Sequence, residues 1–208
     1  MKYEDNSLDE AFQSAELNDR VWLFFQKNSK TILTIMAIVA SIVIIFCLQK
    51  LWSSHEISNM KTAYASLETR EDKILFVKKY KKYKPAGAVS LLLGDDYLEN
   101  LEYESAKSAY ENAGTILKHH VLFPRAVIGQ AMAEYKSNNV AVAEKLLNSI
   151  IYDMKFDKVF RGNAAYLLAN ILKNEQQHER LNSLLNDIST IDLSSEFVNA
   201  IHKISEEN

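Results

Sequence analysis

The residues best placed to do chemistry are few. His119 and His120 form the only adjacent pair among five histidines, and Asp95-Asp96 is an adjacent carboxylate pair inside an otherwise apolar stretch. Paired carboxylates can divide acid and base roles. Neighbouring histidines could begin a metal site, but adjacent residues on a helix point about 100° apart. No nearby cysteine or carboxylate pattern completes a ligand set. The expected placement is a solvated loop or helix end for the histidines and an exposed or groove-lining helix position for the aspartates. The chain has no phosphate-binding glycine loop, nucleophile elbow or His-Glu-x-x-His motif. Its one cysteine, Cys47, lies within an apolar run. These readings point away from an enzyme and imply no cofactor and no metal.

A second cluster interleaves Lys78, Lys79, Lys81, Lys82 and Lys84 with Tyr80 and Tyr83. Such a patch can touch anionic lipid or stack on bases. The simpler reading is a helix whose tyrosines pack inward while its lysines stay in water. No nucleic-acid partner is expected.

The elements that must position these residues are helical. Five glycines and two prolines in 208 residues are too few for the turns of a sandwich, a barrel or a glycine-rich nucleotide fold. A hydrophobic fraction of 48% and a net charge of −3 exclude general disorder and a broad nucleic-acid-binding surface. Thr31 to Leu48 reads TILTIMAIVASIVIIFCL, with no charge. At 1.5 Å per residue it spans roughly 27 Å, about the hydrocarbon thickness of a bilayer. Thr31, Thr34 and Ser41 can bond back to their own helix, and Trp22 and Trp52 flank the run like an aromatic belt. The acidic residues before it and the absence of a small-x-small site after it argue for an uncleaved anchor. Residues 1–30 are expected to form a cytoplasmic tail, 31–50 a transmembrane helix and 53–208 a domain outside. The bias of Arg20, Lys27 and Lys30 over Lys50 and Lys61 suggests that orientation. Leu8, Phe12, Ala15 and Leu17 leave two readings of the tail open, a partly disordered segment or a short docking helix.

Beyond the anchor, residues recur at steps of three and four. Phe76, Tyr80 and Tyr83 mark one helix, which Pro85 is expected to end. Leu93-Gly94, Tyr97, Tyr103, Ala106, Tyr110 and Ala113 follow the register of a tetratricopeptide repeat, with small residues where helices approach and aromatics between them. The pattern returns at Ala131, Val140, Ala143 and Leu147, and again at Leu168-Ala169, Leu172, Leu181, Leu185 and Ile188. Asn138-Asn139 and Gln176-Gln177 are the expected turns. Ala106, Ala143 and Leu181 stand 37 and 38 residues apart, slightly longer than the strict repeat of about 34. The predicted fold class is all-α: an N-terminal transmembrane helix followed by an α-solenoid of tetratricopeptide-like helix pairs. A degenerate pair is expected over 54–84, three more follow residue 86, and the alternative is an irregular helical bundle.

In a solenoid the first helix of each pair lines a concave groove. The predicted peptide-binding row is Leu91, Asp95 and Leu98; Arg125, Ile128, Met132, Tyr135 and Lys136; and Tyr166, Asn170 and Lys173, extended by Ala88, Glu99 and Asn163. Leu98, Met132, Tyr135 and Tyr166 would offer apolar area, and Arg125, Lys136 and Lys173 would hold carboxylates.

With its tail, anchor and the segment KKYKPAGAVSLLLGDDYLENLEYESAKSAYENA ending at Ala113, the chain resembles the bacterial single-pass tetratricopeptide proteins that serve as ancillary subunits of the Sec translocon. That resemblance implies a bacterial inner-membrane location and a periplasmic repeat domain. It also implies association with translocon subunits, periplasmic chaperones or exported chains. A cytosol-facing receptor or adaptor of inverted topology is the alternative.

Overall fold

A computed structural model describes residues 17–206, which form ten helices and no strand. The tail reading that rests on Leu8, Phe12 and Ala15 lies outside the described residues. Two units divide the chain near Thr62. The first contains α1 (Leu17–Lys27) and most of α2 (Ser29–Ala65). At 37 residues, α2 is about 55 Å long and is long and apolar enough to cross a membrane. Every large hydrophobic side chain from Leu33 to Leu48 is more than half exposed. The hydroxyls of Thr34 and Ser41 donate to the carbonyls of Lys30 and Ala37, both at 2.8 Å, so neither presents an unmet donor to an apolar surround. Among the described residues α1 precedes the apolar run, and α2 continues past the expected limit at residue 50, because nothing in 51–65 breaks it: that stretch holds neither glycine nor proline.

The second unit holds α3 (Arg70–Tyr80), α4 (Lys84–Glu99), α5 (Tyr103–Ile116), α6 (Phe123–Lys136), α7 (Val140–Ile151), α8 (Lys158–Asn174), α9 (His178–Thr190) and α10 (Ser195–Glu206). Thr69 starts α3 through a capping box: its hydroxyl accepts from the Asp72 N–H, and the Asp72 carboxylate accepts from the Thr69 N–H. Pro85 does not end α3, which stops at Tyr80. It sits in the first turn of α4, where a missing N–H does no harm. Tyr83 consequently lies outside α3, at the N-cap of α4.

Three turns share one geometry. Leu101, Asn138 and Gln176 adopt left-handed backbone, with φ of 62°, 68° and 57°. The next residue's N–H then reaches five residues back: Glu102 to the Tyr97 carbonyl, Asn139 to Glu134 and Gln177 to Leu172, at 2.8–2.9 Å. Each is a Schellman-type stop that satisfies the orphan carbonyls of the first helix of a pair. Their spacing, 37 and 38 residues, repeats that of Ala106, Ala143 and Leu181.

Successive helices pack on one another from α3 to α10. In addition α4 packs on α6, α6 on α8 and α8 on α10. One buried cluster joins α4, α5 and α6 around Leu91, Ala106, Tyr110, Ala113 and Ala126. A larger one joins α6 to α10 around Ala131, Ala143, Leu147, Ala169, Leu181 and Ile201. In α9 Leu181, Leu184 and Ile188 are buried, with Leu185 half-buried beside them.

Candidate functional site

The helix spacing that frames the row is set by glycine meeting tyrosine. Tyr110 on α5 is 2% exposed and wedges between α4 and α6. A Cβ on Gly94 of α4 would lie 2.6 Å from its ring, and a Cβ on Gly129 of α6 would lie 2.4 Å away. Only glycine admits that ring at both walls. Gly129 was not singled out by the repeat register, although it is one of just five glycines. Leu93 and the four alanines Ala106, Ala113, Ala131 and Ala143 are buried, as is Ala169; Tyr97 is half-buried.

The Tyr110 hydroxyl donates to Asp95 Oδ1 at 2.6 Å, while Arg125 Nη2 donates to Asp95 Oδ2 at 2.7 Å. One carboxylate therefore ties α4, α5 and α6 together. Burial and then the adjacent carboxylate push the Tyr110 hydroxyl well above its ordinary pKa, so it stays protonated as a donor. Asp96 pairs with Lys73 of α3 instead. The two neighbouring aspartates thus serve different helices.

The predicted row separates into three groups. Leu91, 4% exposed, and Ile128, 8% exposed, belong to the core clusters and cannot line an open groove. They lie on the side of α4 and α6 that meets the neighbouring helices. Asp95 and Arg125 pair with each other across α4 and α6. Asn170 turns its amide back to the Tyr166 carbonyl of its own helix at 2.8 Å. What stays at least partly open is Leu98 on α4, Met132, Tyr135 and Lys136 on α6, and Tyr166 and Lys173 on α8. The Lys136 ammonium sits 5.8 Å from the Tyr135 ring centre, and Asn174 of α8 donates to the Tyr135 hydroxyl at 3.3 Å. α4 packs on α6 and α6 on α8, the helices that carry these residues.

Several charged residues have positioning roles that sequence pattern did not reveal. Lys84 Nζ donates to the Ile116 and Lys118 carbonyls at the end of α5, where the helix dipole favours a cation. Arg161, 4% exposed, does the same for α7 by donating from Nε to the Ile151 carbonyl at 2.9 Å. Arg180 of α9 forks onto the mostly buried Glu144 of α7 at 2.6 and 3.0 Å, and this hydrogen-bonded carboxylate raises its pKa further. Lys78, Lys79 and Lys81 are exposed while Tyr80 is buried against Phe76, and Lys84, as above, caps α5 instead. His119 and His120 lie in the loop between α5 and α6, where His120 Nδ1 accepts from the Leu122 N–H at 3.2 Å. Among the described residues no group of three or more His, Cys, Asp or Glu side chains could hold a metal ion. No protein-family profile, curated protein or solved structure matches the chain.

Proposed function

We propose that this chain is a membrane-anchored protein-interaction scaffold, built as a tetratricopeptide-like solenoid on a single membrane-spanning helix. The observation that carries this reading is the recurrence of one turn at Leu101, Asn138 and Gln176, combined with contact between alternate helices α4, α6 and α8. Stacked pairs of that kind leave their first helices along one continuous layer. Leu98, Met132, Tyr135 and Tyr166 on that layer supply apolar area. Lys136 and Lys173 supply charge, which suits an extended or helical peptide. The exposed apolar length of α2 supports the anchor, since such a surface is stable only against lipid or another apolar partner.

The topology we favour puts the N-terminus in the cytoplasm and residues after about 52 on the periplasmic side of a bacterial inner membrane. There the domain would recruit a translocon subunit, a periplasmic chaperone or a newly exported chain. Photo-cross-linking from Tyr135 in intact membranes tests it: capture of an envelope protein, lost on Tyr166→Ala, is the expected result. A C-terminal reporter active only in the cytosol would instead select the inverted receptor or adaptor. Capture of no protein from Tyr135 would remove the groove.

A further inference from the structure

We infer that the outer face and basic end of α3 form a surface that docks on anionic phospholipid, an inference that rests on reading α2 as the membrane anchor. Ile74, Leu75, Lys78 and Lys79 fall within about 140° around the axis of α3, and Lys81 follows as its C-cap. Phe76, Val77 and Tyr80 take the opposite side and are buried. The outward residues are all exposed, Leu75 at 63% and Ile74 at 41%. That face is apolar in its middle turn and cationic in its last, the pattern of a helix that rests on a lipid surface.

The positive charge survives a count of the carboxylates around it. From Lys73 to Gly94 the chain holds six lysines and no acidic residue. Among the described residues Lys78, Lys79 and Lys81 form no ion pair. Lys82 lies 5.1 Å from the Tyr83 ring centre and is left out of the count. Lys84 keeps its full charge, because the Ile116 and Lys118 carbonyls that it meets are neutral. Glu71 and Asp72 stand in the first turn of α3, about 10 Å along the axis from Lys78. Asp95 and Asp96 lie toward the far end of α4, where Arg125 and Lys73 answer them. On α5, Glu111 is the last carboxylate before the end that Lys84 caps, and it offsets one charge. Lys78, Lys79, Lys81 and Lys84 outweigh it.

Tether and shape select the occupant. α2 ends at Ala65 and α3 begins at Arg70, so a short link ties this face to the helix that enters the bilayer. A surface tied in this way meets its bilayer at high effective concentration whatever the angle between the two units. Leu75 stands on the outer crest of a helix rather than in a groove, so a peptide would not be enclosed there. A lipid surface needs no enclosure: its phosphates accept from the ammonium groups, and Ile74 and Leu75 enter between the headgroups. A zwitterionic headgroup carries no net charge to match the lysines, which selects an anionic one. The face shares no residue with the open row on α4, α6 and α8.

The test uses the full chain in nanodiscs and follows, by peptide mass spectrometry, how fast an amine-reactive reagent modifies each lysine. On passing from phosphatidylcholine to phosphatidylglycerol discs, Lys78, Lys79 and Lys81 should slow by about threefold or more, and about 0.5 M sodium chloride should reverse most of that. Lys145 and Lys203, exposed on α7 and α10, should keep their rates. Combining Lys78→Glu with Lys81→Glu should abolish the slowing of Lys79, and Leu75→Ser should weaken it in part. All three substituted positions are exposed, and an unchanged melting curve confirms that the fold is kept. Equal rates in the two kinds of disc, or slowing of Lys79 that survives charge reversal, would overturn the proposal. So would stronger slowing by polyglutamate or duplex DNA in phosphatidylcholine discs, which would assign the face to an acidic protein or a nucleic acid. A chain that fails to co-elute with either disc would strike the anchor reading instead. Retention on phosphatidylglycerol-coated beads then decides the face: wild type held and the double variant released supports it, and any other result overturns it.

Discussion

The apolar run of α2 and the helices of the second unit use the same side chains in opposite ways. From Leu33 to Leu48 large hydrophobics occupy every face of the helix, and all remain more than half exposed. In α5 the apolar residues Ala106, Tyr110 and Ala113 fall on one face and are buried, while Glu104 and Glu111 stay in water. A helix with a single apolar stripe finds its solvent-free partner in other helices; one that is apolar all round needs lipid or another apolar surround. The contrast shows that periodicity, not hydrophobic content, separates the two roles.

The comparison can be broken most forcefully at its best-packed point. Tyr110→Ala should remove about 3–5 kcal/mol from the stability of the second unit, since the ring fills the space between Gly94 and Gly129. Urea unfolding monitored by circular dichroism would read that loss, and a change below about 1 kcal/mol would refute the packing account. A crossed pair of substitutions comes next. Ile42→Lys should shift protein from the membrane fraction to the soluble or degraded fraction, at about 2.5–3.5 kcal/mol of insertion free energy, without altering the melting of the second unit. Leu147→Ala should do the reverse, destabilising that unit by about 2–5 kcal/mol without changing fractionation.

Smaller effects sharpen the picture. Gly129→Ala introduces one methyl against the Tyr110 ring and should destabilise by about 1–3 kcal/mol, as the same denaturation curve would report. Leu101→Gly should act in the opposite direction, because Leu101 is 69% exposed and holds φ at 62°; a gain of about 1 kcal/mol is expected. The smallest effect concerns pH. Hydrogen bonds from Thr69 hold the Asp72 carboxyl below its usual pKa. Its contribution is present above the unfolded-state pKa and is lost as pH falls through the lower folded value. The protection of amides in the first turn of α3, measured against their intrinsic exchange rates at each pH, should therefore fall on acidification in this range, and Asp72→Asn should flatten that dependence.

Much of this was legible in the chain. The steps of three and four through Ala106, Tyr110 and Ala113 mark a buried face, since α-helical geometry alone puts those side chains together. Asn138 and Gln176 marked their turns through breaks in apolar periodicity, and Leu101 did not, because leucine carries no preference for left-handed backbone. The candidate row was less legible. Leu91 and Leu98 stand two turns apart on the same stripe of α4, yet one is core and the other half-open. That difference depends on where α6 crosses α4, a distance that no local pattern encodes.

Local chemistry in the sequence determined that the chain is helical, where its uncharged run lies and which face of each later helix turns inward. Those properties depend on residues within a few turns of one another. The tertiary structure alone decided that Asp95 holds Tyr110 and Arg125, that Lys84 and Arg161 close the ends of other helices, and that three phenylalanines meet beneath two loops. Each of these joins groups from separate helices, and their meeting is governed by how the helices pack, which only the folded chain specifies.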